Sequence, residues 1–230
     1  TLPGGDICVR QPWRTAFSLL HAVDAGSREP LCGDPRLPPF LHAAGQEGDV
    51  VRTQLDRATQ CVASSSVGRL FDGVASLLGI AHENHSEAEA AMKLESLAAR
   101  ATPLSGPGFV LQEIDGLIRA DWRPVVRWIA DAAIRAAPPA AVAARFHEAV
   151  AEMVVEVAKR LGCSDTVGLT GGVFQNALLV SRTTDLLRRA GFEPACHHAV
   201  PPGDGGLAVG QALLASHRIE GYGTPAPGDP

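Results

Sequence analysis

The sequence predicts a helix-rich α/β fold with a small sheet, and three stretches carry that prediction. Residues 138–161 repeat apolar side chains every three to four positions (Val142, Phe146, Val150, Met153, Val157, Leu161), the stripe of a long helix with one buried face. Thr166 to Asn176 reads Thr-Val-Gly-Leu-Thr-Gly-Gly-Val-Phe-Gln-Asn, a short apolar strand that runs through a glycine turn into a helical pattern. Residues 192–199 read as a second strand, after which Pro201 to Gly206 turns the chain into a last helix over 207–217. Roughly eight helices stand against two strands, too few for a complete doubly wound sheet, as though most of a sheet lay elsewhere.

The other elements follow in order. Gln11-Pro12-Trp13-Arg14 opens a helix with its proline early, and Trp13, Ala16, Phe17 and Leu20 give it an apolar face. Residues 24–39 are rich in Gly, Pro, Asp and Arg and read as loop, and residues 41–61 as one helix with Val50, Val51 and Leu55 inward. Ser64-Ser65-Ser66 caps a helix carrying Leu70, Phe71, Val74, Leu77 and Leu78, which Gly79 ends. Residues 87–100 form another helix, residues 110–117 a short strand or a helical turn, and residues 121–136 a helix that tolerates Pro124 in its first turn. Pro138-Pro139 starts the long helix and Gly162 stops it; the helix after the glycine turn runs to Ala190 and Gly191. The chain divides into a helical entry and loop segment (1–62), a mainly helical segment (63–137), an α/β C-terminal lobe (138–218) and a disordered tail (219–230).

Composition bounds the function. With 230 residues, 46% of them hydrophobic, a core can be buried. The net charge of −5 and the absence of a basic block argue against nucleic acid as a partner, and no apolar run is long enough for a membrane span. Five cysteines, far apart and with no Cys-x-x-Cys, argue against a disulfide framework or a zinc site and point to a reducing, cytoplasmic setting. The opening Thr1-Leu-Pro-Gly-Gly carries no signal peptide and reads as the start of a fragment of something longer. Neither a Gly-Lys-Ser/Thr phosphate loop, a Gly-x-Gly-x-x-Gly turn, nor a Ser-His-Asp or Cys-His pattern is present.

Each candidate site residue has a structural alternative. Gly171 and Gly172 let a backbone approach phosphate at a helix N-terminus, or merely close a tight αβ connection. Asn176 reads as a ligand contact or a local helix cap, and Asp204, in Pro-Pro-Gly-Asp-Gly-Gly, as a cation ligand or an N-cap. Asp72 sits mid-helix, either solvated or accepting from a ligand such as a ribose, and Glu87, Glu89 and Glu95 have the same ambiguity. His82 and His85 are a weak metal pair without a third ligand. His147 reads as a core histidine, and His197 and His198, adjacent on a strand, as pointing to opposite faces. Arg119, Arg123 and Arg127 read as a basic helical stripe around Trp122 and Trp128.

Four stretches together resemble one family. Residues 65–79 (Ser-Ser-Val-Gly-Arg-Leu-Phe-Asp-Gly-Val-Ala-Ser-Leu-Leu-Gly), Ala143-Ala144-Arg145-Phe146-His147, residues 169–176 (Leu-Thr-Gly-Gly-Val-Phe-Gln-Asn) and residues 200–212 (Val-Pro-Pro-Gly-Asp-Gly-Gly-Leu-Ala-Val-Gly-Gln-Ala) resemble, in order, the hydrogenase maturation carbamoyltransferases of the HypF type. They are also similar, in degenerate form, to the threonylcarbamoyl-transferase ATPases that modify tRNA. The resemblance implies the later part of an actin/Hsp70-like (ASKHA, RNase H-like) domain. It further implies use of carbamoyl phosphate and ATP, a carbamoyl adenylate, and transfer to the C-terminal cysteine of a HypE-like acceptor on the way to cyanide ligands. By that likeness Gly171, Gly172 and Asn176 cradle nucleotide phosphates, Asp72 and Glu95 hold the ribose, Asp204 ligates a divalent metal, and residues 63–137 line the cleft. Two departures stand out. The family's His-x-x-x-His metal motif does not occur in these residues, and Ser86-Glu87-Ala88-Glu89 replaces the family's Tyr-Glu-Gly-Gln. The chain then holds half a cleft that awaits an N-terminal lobe. The rival readings are a non-catalytic interaction module and a small-molecule O-carbamoyltransferase.

Overall fold

The structure, a computed structural model, describes every residue except 26, 28, 44, 163 and 223–230, with the backbone alone at 219–222. Helices dominate it. Strand β1 (Leu2–Pro3) pairs antiparallel with β2 (Cys61–Val62), which ties the start of the chain to the exit of the first helical layer. Between them lie α1 (Ile7–Arg10), α2 (Pro12–Asp24), α3 (Pro38–His42) and α4 (Gln46–Asp56).

Helix α2 is the axis of the core. Trp13, Ala16, Phe17 and Leu20 are buried along one side, at the period that the sequence announces. It packs on α5 (Val67–Leu77), whose Ser66 Oγ accepts from the Arg69 N–H as an N-cap. Gly73 explains the close approach: a Cβ there would lie 2.5 Å from Leu19 Cδ1 and 3.2 Å from Thr15 Cγ2. Helices α6 (Glu89–Ala98), α7 (Arg123–Ile134) and α8 (Pro139–Leu161) complete the layer, and Phe71 meets Phe146 edge-on at 4.8 Å.

The long helix starts and stops as expected, with Gly162 left-handed at its end. Its predicted stripe is buried only as far as Val150; Met153 and Val157 are half-buried, and Leu161 is 58% exposed because the last turns of α8 run past the core. Likewise 41–61 is not one helix. Gly45, at φ +95°, turns the chain between α3 and α4, and this phase leaves Val50 exposed while Val51 and Leu55 are buried.

Residues 110–121 form a hairpin of β3 (Val110–Ile114) and β4 (Leu117–Asp121). Asp115 and Gly116 both have positive φ, at 54° and 72°, the geometry that Asp-Gly supplies to a two-residue hairpin turn. The arginines therefore form no single helical stripe. Arg119 stands on β4, Arg123 pairs with Asp121 at 2.7 Å, and Arg127 donates to Ser27 Oγ at 2.9 Å.

The C-terminal lobe is a parallel pair, β5 (Thr166–Leu169) and β6 (Glu193–Cys196), joined by a 3₁₀ turn (Gly172–Gln175) and α9 (Ala177–Arg189). Neither strand has another partner among the described residues. After β6 a second 3₁₀ turn (Asp204–Gly206) leads into α10 (Leu207–Tyr222), which carries the chain past 218 as helix; the rest of the expected tail lies outside the described residues. No helix among the described residues is long and apolar enough to cross a membrane.

Candidate functional site: a cleft lined by helix N-termini

Four helical starts converge on one cleft of about 750 Å³. Ser66, Val67, Gly68 and Arg69 come from the start of α5. Glu87 and Ala88 lead into α6, and Ala91, Met92 and Glu95 come from the face of α6 that follows. Gly172, Val173, Gln175 and Asn176 come from the first 3₁₀ turn, and Asp204 and Gly205 from the second. Each of these ends carries backbone N–H groups without intrahelical acceptors and the positive end of its dipole.

The glycine turn is built by its neighbour loop. Gly171, at φ +101°, donates its N–H to the Pro202 carbonyl at 2.7 Å. Gly203 lies against the same turn: a Cβ on it would meet Gln175 Nε2 at 2.7 Å and Gly172 Cα at 3.2 Å. The Thr-Gly-Gly and Pro-Pro-Gly-Asp motifs are thus one unit, packed backbone to backbone. The N–H groups of Gly172 and Val173 find no acceptor among the described residues, and a Cβ on Gly172 would meet no protein atom within 4 Å. That leaves an open cradle with donors, the arrangement that receives anions.

Asn176 is a cap, and more than a cap. Its Oδ1 accepts from the Leu179 N–H at 2.8 Å, and its Nδ2 lies 3.0 Å from His147 Nε2. His147 is fully buried on α8, edge-on to Phe71 at 5.2 Å, with Nδ1 2.8 Å from the Ala143 carbonyl. That carbonyl can only accept, so Nδ1 carries the proton and Nε2 offers a lone pair to Asn176. Burial holds the imidazole neutral by pulling its pKa below the ordinary histidine value, against the Ala143 carbonyl and the Glu95 carboxylate, which both favour the charged form. Glu95 joins the same wall: its Oε1 accepts from the Leu178 N–H at 3.1 Å.

Asp204 is exposed in the cleft and makes no side-chain hydrogen bond among the described residues, so the N-cap geometry is not realised. Asp72 is neither solvated nor a cleft wall. It is fully buried behind Arg69, whose Nη1 stands 2.8 Å from Oδ2 outside hydrogen-bond alignment. Burial, only partly offset by Arg69, pushes its carboxyl up to about 6. Gly172, Asn176, Glu95 and Asp204 are thus brought together, Gly171 braces the cradle from behind, and Asp72 sets Arg69.

Sequence reading missed Arg69 and Gln175. Arg69 stands three residues before Asp72, the spacing at which helical side chains meet, and that signal could have found it. The other histidines lie elsewhere. His82 stacks on His42 at 4.5 Å with Nδ1 2.9 Å from Ser76 Oγ, His85 pairs with Glu89 at 3.4 Å, and His197, beyond the end of β6, lies 3.1 Å from Thr170 Oγ1. They make no metal pair. Among the described residues no three His, Cys, Asp or Glu side chains cluster to hold a metal ion, and Asp204 stands in the cleft as a single carboxylate donor.

Residues 1–211 match the family model for the "Carbamoyltransferase, Kae1-like Domain, second subdomain". The chain belongs to the HypF carbamoyltransferase family. A Cupriavidus necator "Carbamoyltransferase HypF homolog" is 36% identical over 228 residues, covering 94% of this chain and 55% of that one. A Rhodobacter capsulatus carbamoyltransferase HypF is 38% identical over 223 residues, covering 95% of this chain and 27% of its own length. A crystal structure of full-length HypF in a phosphate- and nucleotide-bound form matches with TM-score 0.79 and 29% identity, covering 95% of this chain and 28% of that one. The HypF of T. kodakarensis matches with TM-score 0.70 and 31% identity over 96% of this chain. The chain therefore spans about half or less of the length of these relatives.

Proposed function

We propose that this chain supplies one wall of the nucleotide cleft of a HypF-type carbamoyltransferase and takes part in transfer of a carbamoyl group from carbamoyl adenylate to an acceptor cysteine. The convergence of four helical starts on one open cradle carries this reading, since such ends recognise phosphate without any side chain. The family's nucleotide-bound relative supports it from outside.

In this reading Gly172 and Val173 donate to phosphate oxygens, and Gly171 keeps the cradle open. Asn176 closes the phosphate cradle, Glu95 faces the nucleoside side, and Asp72 acts through Arg69. The acceptor thiolate attacks the carbamoyl carbon, a sulfur–carbon bond forms, and the carbon–oxygen bond to the phosphate breaks so that AMP leaves. Positioning of the two reactants is what this wall contributes. The cleft carries three carboxylates (Glu87, Glu95, Asp204) against one guanidinium (Arg69). A polyanion there needs further positive charge, which fits a first subdomain closing over it and a divalent ion for which Asp204 is one ligand. Carbamoyl phosphate, ATP and a HypE-like protein are the proposed substrates, and the cytoplasm the proposed setting.

Calorimetric titration of ATP into the full-length protein tests this. Asp204→Ala is expected to weaken binding about tenfold or more, and Arg123→Ala, remote from the cleft, to leave it unchanged. Binding by Asp204→Ala as tight as that of the parent overturns the role given to Asp204. No ATP binding by the parent overturns the cleft reading itself.

A further inference from the structure

His147 touches no proposed ligand, yet it is the fully buried polar side chain on which the orientation of Asn176 depends. We propose that His147 is a positioning residue whose neutral Nδ1–H form locks the Asn176 amide, and that protonation of its ring releases that lock and weakens nucleotide binding in the cleft.

The chain of bonds has one direction. The Leu179 N–H can only donate, so it must meet the amide oxygen of Asn176. Asn176 Nδ2 then faces His147 and needs a lone pair, which Nε2 offers only while Nδ1 holds the proton. A second proton on the ring would set Nε2–H against Nδ2–H at 3.0 Å. Relief requires the amide to turn over, and turning it presents –NH₂ to the Leu179 N–H and loses the cap of α9. Since Gln175 and Asn176 end the phosphate cradle and begin α9, the loss lands on the cleft wall.

The groups around the ring are few. Helix α5 presents the Phe71 edge, α6 contributes the Glu95 carboxylate, α8 the Ala143 carbonyl and the Phe146 ring, and α9 brings Arg182 to the small hollow beside the ring. Glu95 favours the charged ring. Burial opposes it and prevails.

The inference rests on the nucleotide reading of the cleft, and its tests separate the two. The ¹⁵N spectrum of histidine-labelled full-length protein should show His147 as the Nδ1–H tautomer, the minor one in free imidazole; an Nε2–H tautomer overturns the lock whether or not nucleotide binds. ATP affinity of the parent protein should fall about tenfold as pH is lowered from near 7.5 through the pKa of the His147 ring, which burial sets below the ordinary histidine value. His147→Gln, whose amide oxygen can accept from Asn176 and does not titrate, should bind near parental strength at pH 7.5 and lose most of the fall in affinity with pH. His147→Leu should bind weakly throughout. A His147→Gln profile that falls with pH as steeply as the parent's, or His147→Leu binding like the parent, overturns the proposal; the shallower slope left by Asp72 behind Arg69 is common to parent and variant. If the parent binds no ATP at any pH, the cleft reading fails and this one with it. Thermal melting of each variant distinguishes misfolding, and the parent's tautomer and pH profile need no variant at all.

Discussion

Asn176 uses both ends of one amide to join two helices: Oδ1 accepts from Leu179 N–H at 2.8 Å at the start of α9, and Nδ2 donates to His147 Nε2 at 3.0 Å on α8. Asn176→Asp keeps the capping oxygen and loses the donor. A carboxylate beside Nε2 favours the imidazolium, so the His147 pKa should rise from below to above the ordinary histidine value, read by NMR titration. Unfolding free energy near pH 6 should change by no more than about 1 kcal/mol, because the cap survives.

Gly172→Ala separates the site from the fold. No protein atom lies within 4 Å of the added Cβ, so stability should hold or rise by roughly 0.5 kcal/mol. The methyl occupies the proposed phosphate cradle and blocks donors worth about 1.5–3 kcal/mol to a charged ligand, a loss of roughly ten- to a hundredfold in ATP affinity by calorimetry. Unchanged affinity would remove the cradle from the site.

Ala88 opens α6 in a left-handed conformation at φ 57° and ψ 17°, on the cleft wall, where the resemblance expects glycine. An alanine held there costs about 1 kcal/mol that glycine does not. Ala88→Gly should raise the melting temperature by about 2–4 °C in calorimetry. A lower melting temperature would show that the Cβ packs favourably instead.

His82 gives acid sensitivity. Its burial and the stacked His42 pull its pKa to about 4. The unfolded chain then binds the proton first as pH falls, so stability from this group is full above about 6.5 and is lost progressively between about 6.5 and 4. His82→Gln should flatten the slope of denaturant-unfolding free energy against pH in that window, by on the order of 1 kcal/mol after solvent screening of a half-exposed ring. An unchanged slope would assign the sensitivity elsewhere.

Asp72 runs the opposite way. Its folded pKa of about 6 lies above the unfolded value near 3.9, so its contribution is full below about 3.9 and is lost as pH rises through about 6. Infrared carboxyl probes should find Asp72 still protonated near pH 5, above the ordinary carboxylate range. An ionised Asp72 at pH 5 would contradict the burial argument.

The sequence by itself determined what short-range chemistry encodes. The 3.6-residue stripe of α8, the Ser66 cap, the Gly79 and Gly162 stops, and the strand and glycine turn at Thr166–Gly172 all depend on neighbours within a few positions. The four motifs that resemble the HypF family were legible for the same reason. Tertiary structure decided the rest. Whether Val50 faces in or out depends on where Gly45 resets the phase of α4, and Asp115-Gly116 shows as a hairpin turn only once both flanking strands are paired. Asn176 and His147 lie 29 residues apart, and Gly171 and Pro202 meet through the loops that follow β5 and β6. Asp72, polar and mid-helix, could by its sequence face solvent or a ligand, but packing buries it fully behind Arg69. A side chain's partner across the fold is set by which helices pack, and that packing energy is spread over Trp13, Phe17, Phe71 and Phe146, whose local sequence carries no mark of what they will touch.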